Sequence, residues 1–85
     1  MDAQKPSVGR IVHYVSYGTP NGEYKPEHRA AIITAVIEDD DNGNDLQGRV
    51  VSLCIFNPTG MFFNETVFLD EEEKKGGTWH WPERE

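Results

Sequence analysis

Residues 8–17 (VGRIVHYVSY) place Ile11, His13, Val15 and Tyr17 on one face and Arg10, Val12, Tyr14 and Ser16 on the other, the two-residue period of a β-strand. A Gly-, Pro- and Asn-rich loop follows. Residues 28–37 (HRAAIITAVI) are apolar on both faces, and their Ile and Val clusters favour a strand covered on two sides over a helix. Asn42-Gly43 in the next connection is a hairpin signal, and residues 49–56 (RVVSLCIF) return as another two-sided apolar strand. Asn57-Pro58-Thr59-Gly60 fits a type I turn. Residues 61–69 (MFFNETVFL) read as one bent strand or two short ones, residues 70–77 as a solvated loop, and residues 78–81 as a last short strand stopped by Pro82.

Five short strands predict an all-β fold over residues 1–85, a single small antiparallel barrel of the SH3-like kind, with an OB-like barrel as the alternative. Two neighbouring strands that are apolar on both faces exceed what a barrel with one solvated side needs. A homo-oligomer, dimer or tetramer, is therefore expected. Size points the same way: a core from 85 residues supplies only about 3–5 kcal/mol of net stability. The single Cys54 cannot form an internal disulfide, and no Cys/His grouping has zinc-site spacing.

The formal charge of −7 is unevenly spread. Residues 38–45, 70–73 and 82–85 hold 11 of the 15 acids, and outside them, leaving aside Lys74 and Lys75 beside the second segment, five bases face four acids, close to neutral. No cluster of Lys and Arg could track a long nucleic-acid backbone, whereas a small anion held by one or two arginines fits. There is no signal-peptide pattern and no long apolar run, so neither export nor a membrane partner is expected and a cytoplasmic location is.

Several motifs carry candidate chemistry. DDDNGND lacks the sixth-position Gly and twelfth-position Glu of a calcium loop when counted from Asp39, and reads as a solvated hairpin. Cys54 reads as a small buried hydrophobe. Ser16 and Ser52 lie within strands, and His13, His28 and His80 are far apart in sequence with no HxH or HExxH pairing. Neither catalysis, nor a metal, nor a cofactor is expected.

What stands out is a set of polar and aromatic residues near strand ends: His13, Tyr14, Tyr17, Thr19, Arg29, Asn57, Thr59, Trp79, His80 and Trp81. Rings, hydroxyls, an amide and a guanidinium are what a base, a ribose and a phosphate require. Phe62, Phe63 and Phe68 read as core, while the Tyr and Trp residues divide evenly between core and site. Trp79 and Trp81 project to one face of the last strand and His80 to the other. That indole surface is either the lid of the barrel or a stacking and interface platform.

GRIVHYVSYGTP, FNPTGMFF and GGTWHWPE, together about a third of the chain, resemble a family of small uncharacterised phage and prophage proteins. Size, barrel and expected oligomer further resemble the phage anti-CBASS sponge proteins, which sequester cyclic oligonucleotide immune signals without cleaving them. The resemblance implies a nucleotide-like small molecule as ligand, bound between subunits in the cytoplasm of a bacterial host. On that expectation Arg29 would pair with phosphate, Tyr14, Tyr17 and Trp79 would flank bases, and Thr19, Asn57 and Thr59 would contact sugar or base edges. An SH3-like peptide-binding module is the alternative, and a small hydrolase using His13 or His80 the third reading.

Overall fold

A computed structural model of the chain describes residues 5–18 and 25–83. Five strands follow one another, β1 (Ile11–Val15), β2 (His28–Asp39), β3 (Asp45–Asn57), β4 (Gly60–Leu69) and β5 (Thr78–His80). They close into a barrel in chain order, the all-β five-stranded architecture that the hydrophobic alternation predicts. Among the described residues no helix is long and apolar enough to cross a membrane.

Alternation decides which side chains fill the barrel. Val12 and Tyr14 of β1, Ala31 and Ile33 of β2, Leu53 and Ile55 of β3, Val67 of β4 and Trp79 of β5 point inward and form one buried core with Val51. The Trp79 indole N–H would be an unpaired donor there; it donates to the carbonyl of Arg49 at 3.1 Å. Register shifts between Ile33 and Ala35, Ile37 and Asp39, and Val51 and Leu53 bend the long strands, as β-bulges do when a sheet curls onto itself.

Strand limits differ from the sequence reading in places with local causes. β1 is confined to Ile11–Val15, because the chain before it is held by a turn in which the Arg10 N–H donates to the Ser7 carbonyl. β3 begins earlier, at Asp45, because the hairpin turn is tight: the Asp40 and Asn44 backbones pair, and Gly43 adopts φ +82°. Residues 60–69 form one continuous strand.

The assignment of Phe63 and Phe68 to the core is overturned, and that of Phe62 holds only in its inward direction. Phe63 and Phe68 are well exposed and Phe62 partly so. Val67 takes the inward position in β4, which turns Phe68 outward, and Phe63 pairs with the outward Cys54. Phe62 points inward at the open end of the barrel, against Tyr14 with ring centroids 6.0 Å apart.

The barrel closes through its shortest strand. β5 pairs with β1 through His13↔His80 and Tyr14↔Trp79, antiparallel, and with β4 through Phe68↔Thr78 and Leu69↔Trp79, in parallel. Side chains of the preceding loop hold this seam. Asp70 accepts hydrogen bonds from the Glu73 and Lys75 N–H groups, the Thr78 hydroxyl donates to the Lys75 carbonyl, and Gly77 donates its N–H to Val15. Gly77 has φ +84°, and a Cβ there would overlap the Tyr17 hydroxyl.

Candidate metal centre

The outward faces of β1, β2 and β5 meet beside the seam, and each presents a histidine. His13 and His80 are direct cross-strand partners. His28 reaches the same spot from the start of β2, where Val15↔His28 sets the register two residues from His13↔Ala30. The strand ends at His80, and past Trp81 and Pro82 the Glu83 carboxylate lies against the three rings. All the histidines of the chain and one carboxylate thus converge from four separate points in the sequence.

The geometry is close. One donor atom from each of His13, His28, His80 and Glu83 lies within 4.8 Å of the other three. Glu83 Oε1 is 2.7 Å from His28 Nδ1, 3.1 Å from His80 Nε2 and 3.9 Å from His13 Nδ1. Four ligands at zinc-like bond lengths sit about 3.3 Å apart around a tetrahedron, inside the range of these contacts. The rings stand edge to face, with centroids separated by 4.8 Å (His28 and His80), 5.5 Å (His13 and His80) and 6.1 Å (His13 and His28). Lys74 Nζ lies 4.0 Å from the other carboxylate oxygen, Oε2, which leaves Oε1 turned to the rings.

Burial and charge favour ligand forms of these groups. His80 is 0% exposed, and that burial pushes its pKa below the usual imidazole value, against the pull of Glu83 and with further help from His28 and His13. The ring is held neutral, as a metal ligand must be. Glu83 is held ionised below the usual carboxylate range, first by its hydrogen bond to His80, then by His28 and Lys74. The Nδ1 atoms of both His13 and His80 are buried without a hydrogen-bond partner. Buried polar atoms are rarely left so, and an unpaired His13 Nδ1 facing Glu83 is what an ion would satisfy.

The histidines, far apart in sequence and without HxH, HExxH or zinc-site spacing, nonetheless share one face here. Strand pairing supplies a proximity that sequence spacing lacks. His28 and Glu83 are the members that sequence reasoning missed. The available signal was outward parity, His13 opposite Val12 and Tyr14, His80 opposite Trp79, together with a carboxylate, Glu83, three residues after His80.

The remaining candidates are scattered. Tyr14 is in the core, its pKa raised by burial and partly restored by a hydrogen bond to Asn64. Trp79 is 0% exposed, so it is barrel filling and presents no stacking face. Trp81 covers the end of that core, edge-on to Trp79 at 5.3 Å, with the Arg10 guanidinium 5.1 Å from its ring centre and its backbone N–H donated to the Glu71 carboxylate. The two indoles do share a face, and they serve as core and lid. Tyr17 is exposed over Gly76 and Gly77. Asn57 and Thr59 are exposed at the β3–β4 turn, and Thr19 lies outside the described residues. Arg29, paired with Tyr14, is half-buried with its Nε unpartnered. In DDDNGND, Asp40 accepts from the Asn42 and Asn44 N–H groups and the Asn44 amide, so its carboxylate serves the turn. The chain matches no protein-family model, no curated protein and no solved structure.

Proposed function

We propose that this protein is a non-enzymatic binding barrel that holds one zinc-class divalent ion through His13, His28, His80 and Glu83. The observation that carries this reading is the convergence of four donor atoms within 4.8 Å. Imidazoles with one carboxylate suit zinc and its neighbours rather than calcium or magnesium, which take oxygen ligands. Four protein ligands make a closed site, the pattern of structural metals, whereas catalytic zinc keeps a position for water. Zinc here ties β2, β1, β5 and the segment after it together across the seam with the fewest backbone pairs. It is the staple that a small chain without a disulfide otherwise lacks.

Calorimetric titration of zinc into chelator-stripped protein tests this directly. One ion per chain is expected, with a higher melting temperature, since binding to the native state alone stabilises it by mass action. His28→Ala should abolish both effects, and because the His28 side chain is partly exposed, the barrel itself should persist. Absence of binding at about a hundred micromolar zinc, or equal binding by the variant, would sink the proposal.

A second reading, sequestration of a nucleotide-like ligand, keeps one anchor. Arg29 is a half-buried guanidinium with an unpartnered Nε beside Tyr14. Saturable binding of a cyclic dinucleotide, lost in Arg29→Ala and retained in His28→Ala, would support it as a separate site. Binding that is indifferent to Arg29→Ala would remove it.

A further inference from the structure

The outer wall opposite the acidic hairpin is apolar across four strands. Register places Ile11 beside Ile32, Ile32 beside Cys54, and Cys54 beside Phe63. Their strand neighbours Val12, Ile33, Leu53 and Ile55 are fully buried core, so this row faces out. Ala30, Phe56 and Met61 extend it by alternation, with Phe56 paired to Met61. Phe63 is 68% exposed, Met61 61% and Ile11 60%. The sulfur of Met61 rests 3.7 Å from that of Cys54, which leaves the cysteine covered on an outward position.

We infer that this face pairs with the same face of a second copy of the chain, forming a two-fold dimer. Area supports that occupant. Ile11, Phe56, Met61 and Phe63 leave about 400–500 Å² of apolar side chain in water, against about 800 Å² per partner in a standard interface whose homodimer form is about 65% apolar. Shape supports it as well. Phe63 forms one wall of a groove of about 470 Å³ whose other lining includes Thr34, Ala35, Ser52, Asn64 and Glu65 at the β2–β3 bulge, so one face offers both a projecting ring and a recess, as an isologous contact requires.

Charge distribution removes the objection raised by a net charge of −7. None of Ile11, Ala30, Ile32, Phe56, Met61 or Phe63 is ionisable, the ionisable groups at the margin of the patch are Glu65 in the groove and His13 beside Ala30, and the acids of residues 38–45 cluster at the far end of β2 and β3. Ile32 and Asp39 are roughly 20 Å apart along the strand, beyond the screening length of about 8 Å at physiological ionic strength. Face-to-face docking buries the patch and leaves the hairpins in solvent.

Sedimentation velocity of the intact chain from about 1 to 100 μM, run with zinc and again with chelator, tests the inference separately from the metal site. The dimer is expected in both. Phe63→Ser should weaken association at least thirty-fold, roughly the effect of losing a hot-spot side chain, and Ile11→Lys on β1 should do the same; near-ultraviolet circular dichroism of Trp79 reports folding, and a variant that fails to fold is replaced by the other. A wild-type monomer throughout the range would overturn the inference. So would a dimer unchanged by the folded variants. Wild-type monomers that bind neutral phosphatidylcholine vesicles would assign the face to lipid and equally overturn self-association.

Discussion

β2, β3 and β4 span 12, 13 and 10 residues, and they pair along most of that length. β1 and β5 span 5 and 3 residues and share two residue pairs, while β5 and β4 share two more. The long meander is held by backbone ladders and by inward Ile, Leu and Val. The seam has too few ladder bonds to hold itself, so side chains close it: Trp79 from inside, the three histidines with Glu83 from outside, and Asp70 through the loop between. A barrel can thus spend its strongest local pairing on one half and concentrate its chemistry on the seam of the other.

The largest effect expected from breaking this contrast is at Trp79. Trp79→Ala removes the largest fully buried side chain and should cost about 3–5 kcal/mol, comparable to the whole net stability of so small a chain. Loss of the cooperative thermal transition by circular dichroism checks it. Next comes the metal: with zinc at 100 to 1,000 times its dissociation constant, the wild type should gain about 2.7–4.1 kcal/mol. His28→Ala should gain nothing, and the two should unfold at similar denaturant concentrations once zinc is removed. Gly77→Ala, forced into positive φ beneath Tyr17, should cost about 1–2 kcal/mol; Gly43→Ala, with nothing near its Cβ, separates backbone cost from overlap.

The smallest effect is one of pH, and it reads both regions at once. Asp40 in the hairpin and Asp70 in the seam loop each have a folded pKa below the ordinary carboxylate value, caused first by hydrogen bonds to Asn44 and to the Glu73 N–H respectively. For a depressed acid the stabilisation is present above the unfolded pKa, about 3.9 for Asp. It is lost as pH falls through the folded value, because the unfolded chain then binds more protons. Denaturant midpoints should therefore drop below about pH 4. Asp70→Asn should flatten part of that drop and also weaken zinc binding, whereas Asp40→Asn should flatten it with zinc binding unchanged.

The fold was legible because Ile11 to Val15 and the two-sided runs in β2 and β3 announce strands, and Asn42-Gly43 and Asn57-Pro58-Thr59-Gly60 announce the turns that fix their order. Trp79 and Trp81 were correctly placed on one face, opposite His80. The site was not legible, because it depends on register across the long first connection. Whether residue 13 faces 28, 30 or 32 follows from how β1 and β2 slide, and no local pattern sets that. Phe63 and Phe68 misled for a related reason: in an apolar strand, one residue of register exchanges core for surface.

The most direct test of the central claim is X-ray absorption at the zinc edge of protein loaded with one equivalent of metal. Four light-atom ligands at about 2.0–2.1 Å with the multiple-scattering signature of three imidazoles are expected, and His28→Ala should show no bound zinc. A sulfur shell at about 2.3 Å, six oxygen neighbours, or a spectrum identical in the variant would contradict the assignment of His13, His28, His80 and Glu83 as the ligand set.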